Sequence, residues 1–234
     1  QQAGDLSIRV YAMVANYPGN LDYFLNKGII KTDGLNVRSV KVYGDGALGS
    51  RGAALKEPYS DQPGHFGAMV TPVDQIEALA ERIAASEYQM NTHAIGDSAN
   101  VVVLRAYEKA LAGKEDRRWK VEHAQVIAPQ DFDYFKNGII PSVQPTHATS
   151  DMYWAGDRLG PDRVKGAYAF KDLLNQAGMV ALGTDFPVEQ VSPFLTFYAA
   201  VARQDLDRYP EGGYQMENAL TREETLKGMT IWAA

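Results

Sequence analysis

The sequence predicts an α/β protein in which a parallel sheet is flanked by helices. Strand and helix signals alternate six times along its 234 residues, and no short fixed-period repeat interrupts them. Such alternation implies crossover connections that bring each strand back parallel to the last. A closed barrel and an open doubly wound sheet both satisfy this pattern. The first strand is not followed by a glycine-rich phosphate fingerprint, which weakens a dinucleotide-binding reading.

Taken in order, Ile8 to Ala15 (IRVYAMVA) is apolar and partly β-branched, as a buried strand should be. A short helix is expected around Leu21 to Asn26, closed by Gly28. Val37 to Tyr43 is the next strand. The stretch from Gly44 to Met69 is too long for a tight connection and is therefore a candidate functional loop. Thr71-Pro72-Val73-Asp74 opens a helix, with Val73, Ile76, Leu79, Ala80 and Ile83 on one face. Gln89 to Thr92 reads as a strand and Asp97 to Leu111 as a helix. Trp119 to Glu122 is a strand, Pro129 to Lys136 a helix ended by Gly138, and Ile139 to Val143 a strand. A helix over Lys171 to Ala177 stops at Gly178, before a strand from Met179 to Gly183. Ser192-Pro193 caps a helix through Ala202, and Thr221 with Glu224 forms a capping box for the last helix.

Composition narrows the partners. Twenty-three basic residues face 29 acidic ones, a net charge of -6, which argues against nucleic acid or an anionic membrane as the main partner. The expected partner is a small-molecule substrate. There is no cysteine, so disulfides, thiolate metal sites and a cysteine nucleophile are excluded. Any transition metal must be held by histidine, carboxylate or something rarer. No stretch approaches the roughly 18 apolar residues of a membrane span. Gln1 to Asp5 do not read as a signal peptide. The compartment stays open, with the cytoplasm preferred. Both chain ends look cut rather than finished.

The chemistry collects where strands end. Lys41 lies near the end of VRSVKVY, His93 follows Gln89 to Thr92, His123 follows Trp119 to Glu122, and Asp185 follows the strand ending at Gly183. The carboxyl rim of a parallel sheet is where active sites are built, in barrels and open sheets alike. Two imidazoles and a carboxylate suit zinc or a similar divalent ion. Each residue alone has a structural reading: a hydrogen-bonded core histidine, a paired lysine, a loop carboxylate. The joint pattern favours the metal. Asp97 caps its helix and is a candidate acceptor for His93. Strand alternation turns Glu122 away from His123, so Glu122 reads as structural. Tyr153 and Trp154 are read as packing before pocket-lining.

Five motifs together resemble amidohydrolase family 3, the group with N-substituted formamide deformylase-like and YtcJ-like proteins. They are VKVYGDGALGSRGA (Val40 to Ala53), NTHAIGDSAN (Asn91 to Asn100), KVEHAQVI (Lys120 to Ile127), PSVQPTHATSDM (Pro141 to Met152) and ALGTDFPVE (Ala181 to Glu189). They occur in family order, from about Leu6 to the chain end. The resemblance implies a (β/α)8 TIM barrel with one or two divalent metal ions, zinc foremost. It implies His93 and His123 as metal ligands from the family's fifth and sixth strands, and Asp185 as the eighth-strand aspartate, both ligand and catalytic base. Lys41 would be the fourth-strand lysine, a ligand only if carboxylated, because a free ammonium has no lone pair to give. His147 resembles a seventh-strand histidine facing substrate, and Arg51 in the fourth-strand loop is a candidate substrate contact.

The family's first-strand His-x-His is absent from these residues; His65 and His147 are not spaced as such a pair. The expectation is therefore one partial catalytic barrel over residues 1–234, holding about strands three to eight. Strands one and two and the terminal β-sandwich are missing, so further chain or a homo-oligomer must cover the open edges. The activity implied is hydrolysis of a C–N bond in an amide, formamide, carbamate or cyclic amide by metal-activated water. The rivals are a phosphotriesterase-like or deaminase-like barrel hydrolase, and a non-catalytic barrel fragment.

Overall fold

A computed structural model describes residues 7–234; Gln1 to Asp5, read above as no signal peptide, and Leu6, where the resemblance begins, lie outside the described residues. Six parallel strands form a curled half-barrel in chain order. They are β1 (Val10–Ala15), β3 (Leu35–Tyr43), β4 (Gln89–Ala94), β5 (Lys120–His123), β6 (Ile140–Val143) and β7 (Ala181–Leu182). A two-residue strand, β2 (Ile30–Lys31), pairs antiparallel with the start of β3. The crossovers are α1 (Pro18–Lys27), α2 (Val73–Ala84), α3 (Asp97–Ala110), a 3-10 helix (Pro129–Asn137), α4 (Pro145–Asp151), α5 (Ala155–Arg163) and α6 (Phe170–Ala177); α7 (Pro193–Ala202) and α8 (Arg222–Met229) follow β7. Among the described residues no helix is long and apolar enough to cross a membrane.

The sequence-based elements hold in order, with differences at their ends. The Thr221–Glu224 capping box forms as expected, side chain to backbone in both directions. Pro72 rather than Thr71 takes the cap position of α2, and Ser192 caps α7 without a side-chain hydrogen bond, with Pro193 in the first turn. Pro129–Asn137 winds as a 3-10 helix rather than an α-helix. The strand expected from Met179 to Gly183 shrinks to Ala181–Leu182, because β7 has a hydrogen-bonded neighbour only on its β6 side. Two helices, α4 and α5, were not legible. Their sequence PTHATSD…AGDRLGPDR has no apolar period, and α5 breaks at Gly160, where φ is 77°.

The two faces of the sheet differ in chemistry. Val40, Val42, Met90 and Val121 are buried in the apolar core. The Tyr107 hydroxyl on α3 donates to the carbonyl of Met90 and to Thr92, marking this face as the one that meets the helices. The alternate residues form a polar concave face. There Tyr11 bonds Gln89, Lys120 lies 4.9 Å from the Tyr11 ring, and Asn91 reaches Met13. Glu122 Oε1 is buried here without a hydrogen-bond partner among the described residues. β1 and β7 are the two edges, as expected for a barrel that is half built.

The long loop after β3 is fastened to the end of β4 by Asp45. Its buried carboxylate accepts backbone N–H groups from Ala54 and Gly96 at 2.8 Å each and from Ile95 at 2.9 Å. Burial pushes its pKa up to about 6 despite these donors. The close approach depends on Gly96: a Cβ there would lie 2.0 Å from the Ala54 carbonyl oxygen. Gly96→Ala should therefore destabilise the protein by about 1–3 kcal/mol, the usual cost of overpacking. Gly156→Ala, where a Cβ meets nothing within 4 Å, is the control. Equal denaturation midpoints for the two variants would remove Gly96 from this role.

Candidate metal centre

A cavity of about 660 Å³ opens at the carboxyl ends of the strands. Lys41, His93, His123 and Asp185 all line it, and so does His147. They arrive from four strand ends and one helix. Lys41 is two residues from the end of β3, and register places it beside Asn91, two residues before His93 on β4. His147 comes from the first turn of α4, not from a strand, because Pro145 starts a helix directly after β6.

Backbone strain turns two of these side chains inward. By alternation Glu122 faces the concave side with Lys41 and Lys120, and His123 would face the helices. His123 has φ 74° and the next residue, Ala124, 41°. These left-handed conformations are uncommon for residues other than glycine and break the alternation. The His123 ring thus lies 4.5 Å from that of His93 and 5.9 Å from that of His147, centroid to centroid. Asp185 also has positive φ, 56°, just after β7.

Each imidazole has an outer partner that sets its orientation. His123 Nδ1 lies 2.8 Å from Gln144 Oε1 and His147 Nδ1 lies 3.0 Å from Glu189 Oε1. His93 Nε2 lies 3.5 Å from both Asp45 Oδ1 and the Gly46 carbonyl. Asp97, expected to orient His93, instead accepts the backbone N–H of Lys56 at 2.9 Å, with Gly96 as the helix cap. It is buried one loop away from the ring it was expected to hold. Asp45, Gln144 and Glu189 were missed. Nothing in their spacing sets them apart from capping or loop residues, and only the assembled sheet brings them to the histidines.

The electrostatics favour a bound cation. Burial, reinforced by the Lys41 charge, pushes His93 down to about 4. Burial and the two neighbouring histidines push His123 down to about 3. Both rings are therefore neutral near pH 7, the form that donates a lone pair to a metal. Burial also lowers Lys41, against the opposing pull of Glu122 and Asp185. Asp185 is held below the usual carboxylate range, first by its bond with His147. Ligand-capable atoms of His123, His147 and Asp185 all lie within 4.8 Å of one another. Imidazole nitrogens and a carboxylate are the donor types a divalent ion takes, and His147 would have to give up a proton to serve as one of them.

In protein free of bound metal, His147 behaves differently. Burial would lower it, but hydrogen bonds to Asp185 and Glu189 outweigh burial and raise it to about 9. A raised folded-state pKa adds stability that is complete below the unfolded value of 6.5 and is lost as pH rises through about 9. The unfolding midpoint of metal-free protein should therefore decline between pH 6.5 and 9, and Glu189→Gln should flatten that decline. Parallel declines in both proteins would show that His147 does not carry it.

Arg51 is not part of the cavity lining. Its guanidinium makes two bonds to Asp61, at 3.0 and 2.8 Å, and Asp61 also binds Arg158. The expected substrate contact is thus spent on closing the β3 loop against α5. Gly49 and Trp154 do line the cavity, and a Cβ on Gly49 would lie 3.2 Å from the Trp154 ring. Tyr153 stacks on Tyr209 at 5.5 Å.

Comparison with known proteins agrees with this geometry. The model of the amidohydrolase family matches residues 2–234. Protein LONG AFTER FAR-RED 3 of Arabidopsis thaliana is 38% identical over 187 residues, 78% of this chain and 32% of that protein. The putative amidohydrolase YtcJ of Bacillus subtilis is 35% identical over 197 residues, 84% of this chain and 37% of its own. Two solved structures of uncharacterized metal-dependent hydrolases superpose over 99% of the chain. That from Pyrococcus furiosus has a TM-score of 0.85 at 31% identity, and that from Pyrococcus horikoshii 0.86 at 32%. The chain spans 47% of each of those two chains, and about a third of each curated relative.

Proposed function

Because the chain belongs to the amidohydrolase family, we propose that it supplies most of the catalytic barrel of a zinc-dependent hydrolase that cleaves a C–N bond in a small amide, formamide, carbamate or cyclic amide. The observation that carries this reading is that His93, His123, His147 and Asp185 line one cavity, with ligand-capable atoms of the last three within 4.8 Å of one another and the His93 ring 4.5 Å from that of His123. His93, His123 and Asp185 would hold the ion, with Lys41 joining them once carboxylated. The remaining two histidines and the strands that close the barrel would come from chain outside these 234 residues. When bound, the ion lowers the pKa of a water molecule and polarises the scissile carbonyl.

The chain's own residues do the rest. Asp185 takes the proton of the attacking water and returns it to the departing nitrogen. His147, held through Nδ1 by Glu189, points Nε2 toward Asp185 at 3.6 Å and is placed to donate to the carbonyl oxygen as it gains charge. Gln144 keeps the Nδ1 proton on His123, leaving Nε2 as its donor atom.

The test is a substrate panel on the full-length polypeptide, loaded with zinc and compared with a chelated sample. Hydrolysis of amides or formamides that chelation abolishes supports the reading. Activity confined to phosphotriesters, or to release of ammonia from nucleobases, would replace it with another metal-dependent chemistry. No turnover on any class by the loaded protein would leave a non-catalytic barrel.

A further inference from the structure

A second cavity, of about 250 Å³, adjoins the metal site. Ser150 and Glu189 line both cavities. Glu189 Oε1 accepts from the Ser150 hydroxyl at 2.7 Å and lies 3.0 Å from His147 Nδ1, so the side cavity is one side chain away from the reacting centre. Its volume exceeds the about 150 Å³ that holds a benzene ring in a protein interior.

The walls of this side cavity differ from those of the main one. Leu195, Tyr198 and Ala199 from α7 form one side, with Tyr153 and Leu206 at the mouth. The tyrosines are fixed: Tyr153 stacks on Tyr209 and bonds Asp205, and the Tyr198 hydroxyl reaches Gln204 Oε1 at 3.3 Å. Among the described residues no lysine, arginine or histidine lines the space, and its two charged residues, Glu189 and Asp205, are both acidic. Asp205 is occupied by the Tyr153 hydroxyl and by the backbone N–H groups of Asp207 and Tyr209, each at 2.9 Å. A carboxylate entering here would find no basic side chain in the lining and meet two like charges. An apolar or aromatic group would meet a preformed aliphatic and aromatic wall. Thr146, Thr149, Gln190 and Gln204 add neutral polar groups to this space, so what separates it from the main cavity, with Lys41 and three histidines, is the lack of a basic side chain.

We propose that the side cavity is the specificity subsite, taking an uncharged aryl or branched alkyl substituent of the substrate and refusing a carboxylated one. This rests on the hydrolase reading, since it assumes that the reacting bond lies at the His123, His147 and Asp185 cluster.

Hydroxamic acids test it without turnover, because the hydroxamate group anchors on a metal. Binding of acetohydroxamate, of phenylalkyl hydroxamates with one to three methylenes, and of their 4-carboxyphenyl counterparts would be measured by calorimetry on the zinc-loaded full-length protein. The best phenyl compound should bind about 10- to 100-fold tighter than acetohydroxamate, as expected for burying one aromatic ring. Its 4-carboxy counterpart should lose at least about tenfold of that gain. Leu195→Trp, which fills the cavity, should abolish the phenyl advantage. Gln190→Lys, at an exposed position on the rim, should narrow the gap between the phenyl and carboxyphenyl compounds. Binding of acetohydroxamate with no phenyl advantage at any chain length, or an advantage that survives Leu195→Trp, overturns the subsite alone. Failure of every hydroxamate, acetohydroxamate included, overturns the subsite and the metal-hydrolase reading together.

Discussion

Asp185→Asn in the zinc-loaded full-length protein should lower turnover about 10²- to 10⁴-fold, the usual contribution of general acid–base catalysis. Metal content should be largely kept. Asparagine preserves the size of the side chain and one ligating oxygen but removes the basic site. Asp185 is suited to proton transfer because it is not locked away: its side chain is 41% exposed, it lines the cavity, and it stays ionised beside His147. Its left-handed backbone, φ 56°, turns the carboxylate toward His123 and His147. A carboxylate serving only to hold the loop would give the opposite pattern, with lower stability and near-normal turnover per folded molecule. The measurement is turnover per metal-loaded molecule across pH. Near-normal turnover with an unchanged acidic limb would assign the proton transfer to another residue.

The second large effect concerns loading. His123→Ala should cost more zinc affinity than the about 10- to 100-fold that loss of an orienting partner costs, which is the loss expected for Gln144→Ala. His123 is 8% exposed, its ring contacts those of His93 and His147, and burial keeps it neutral. It therefore brings a ready lone pair at no protonation cost near pH 7. Competition against a chromophoric chelator gives the affinity, and elemental analysis gives the stoichiometry. A circular dichroism spectrum matching the parent protein separates lost loading from lost folding. If His123→Ala keeps one tightly bound zinc per chain, the ion sits elsewhere, and the cluster of His123, His147 and Asp185 is only a hydrogen-bonded group.

Much of this protein is legible along the chain. The alternation of apolar runs with capped helices was sufficient for a parallel α/β sheet, because each crossover leaves both a strand period and a helix period in the sequence. That Lys41, His93, His123 and Asp185 reach one rim was readable because a strand end is a local feature, and a parallel sheet carries every such end to the same side. The capping box at Thr221 is local in the same way.

Other features needed the folded chain. Strand alternation assigns His123 to the helix side, and only its left-handed backbone puts the ring in the cavity. Arg51 looks like a rim residue until Asp61 is seen to claim its guanidinium. The orienting roles of Gln144, Glu189 and Asp45 join residues 21, 42 and 48 positions apart, distances over which no sequence period operates. The side cavity draws its walls from α4, the loop after β7, α7 and the turn beyond it, segments whose spacing in the chain is unrelated to their spacing in space. Local patterns determine which elements form and which residues stand at their ends. Which side chains then meet is decided by sheet curvature, backbone strain and competition among partners, and those are properties of the tertiary structure.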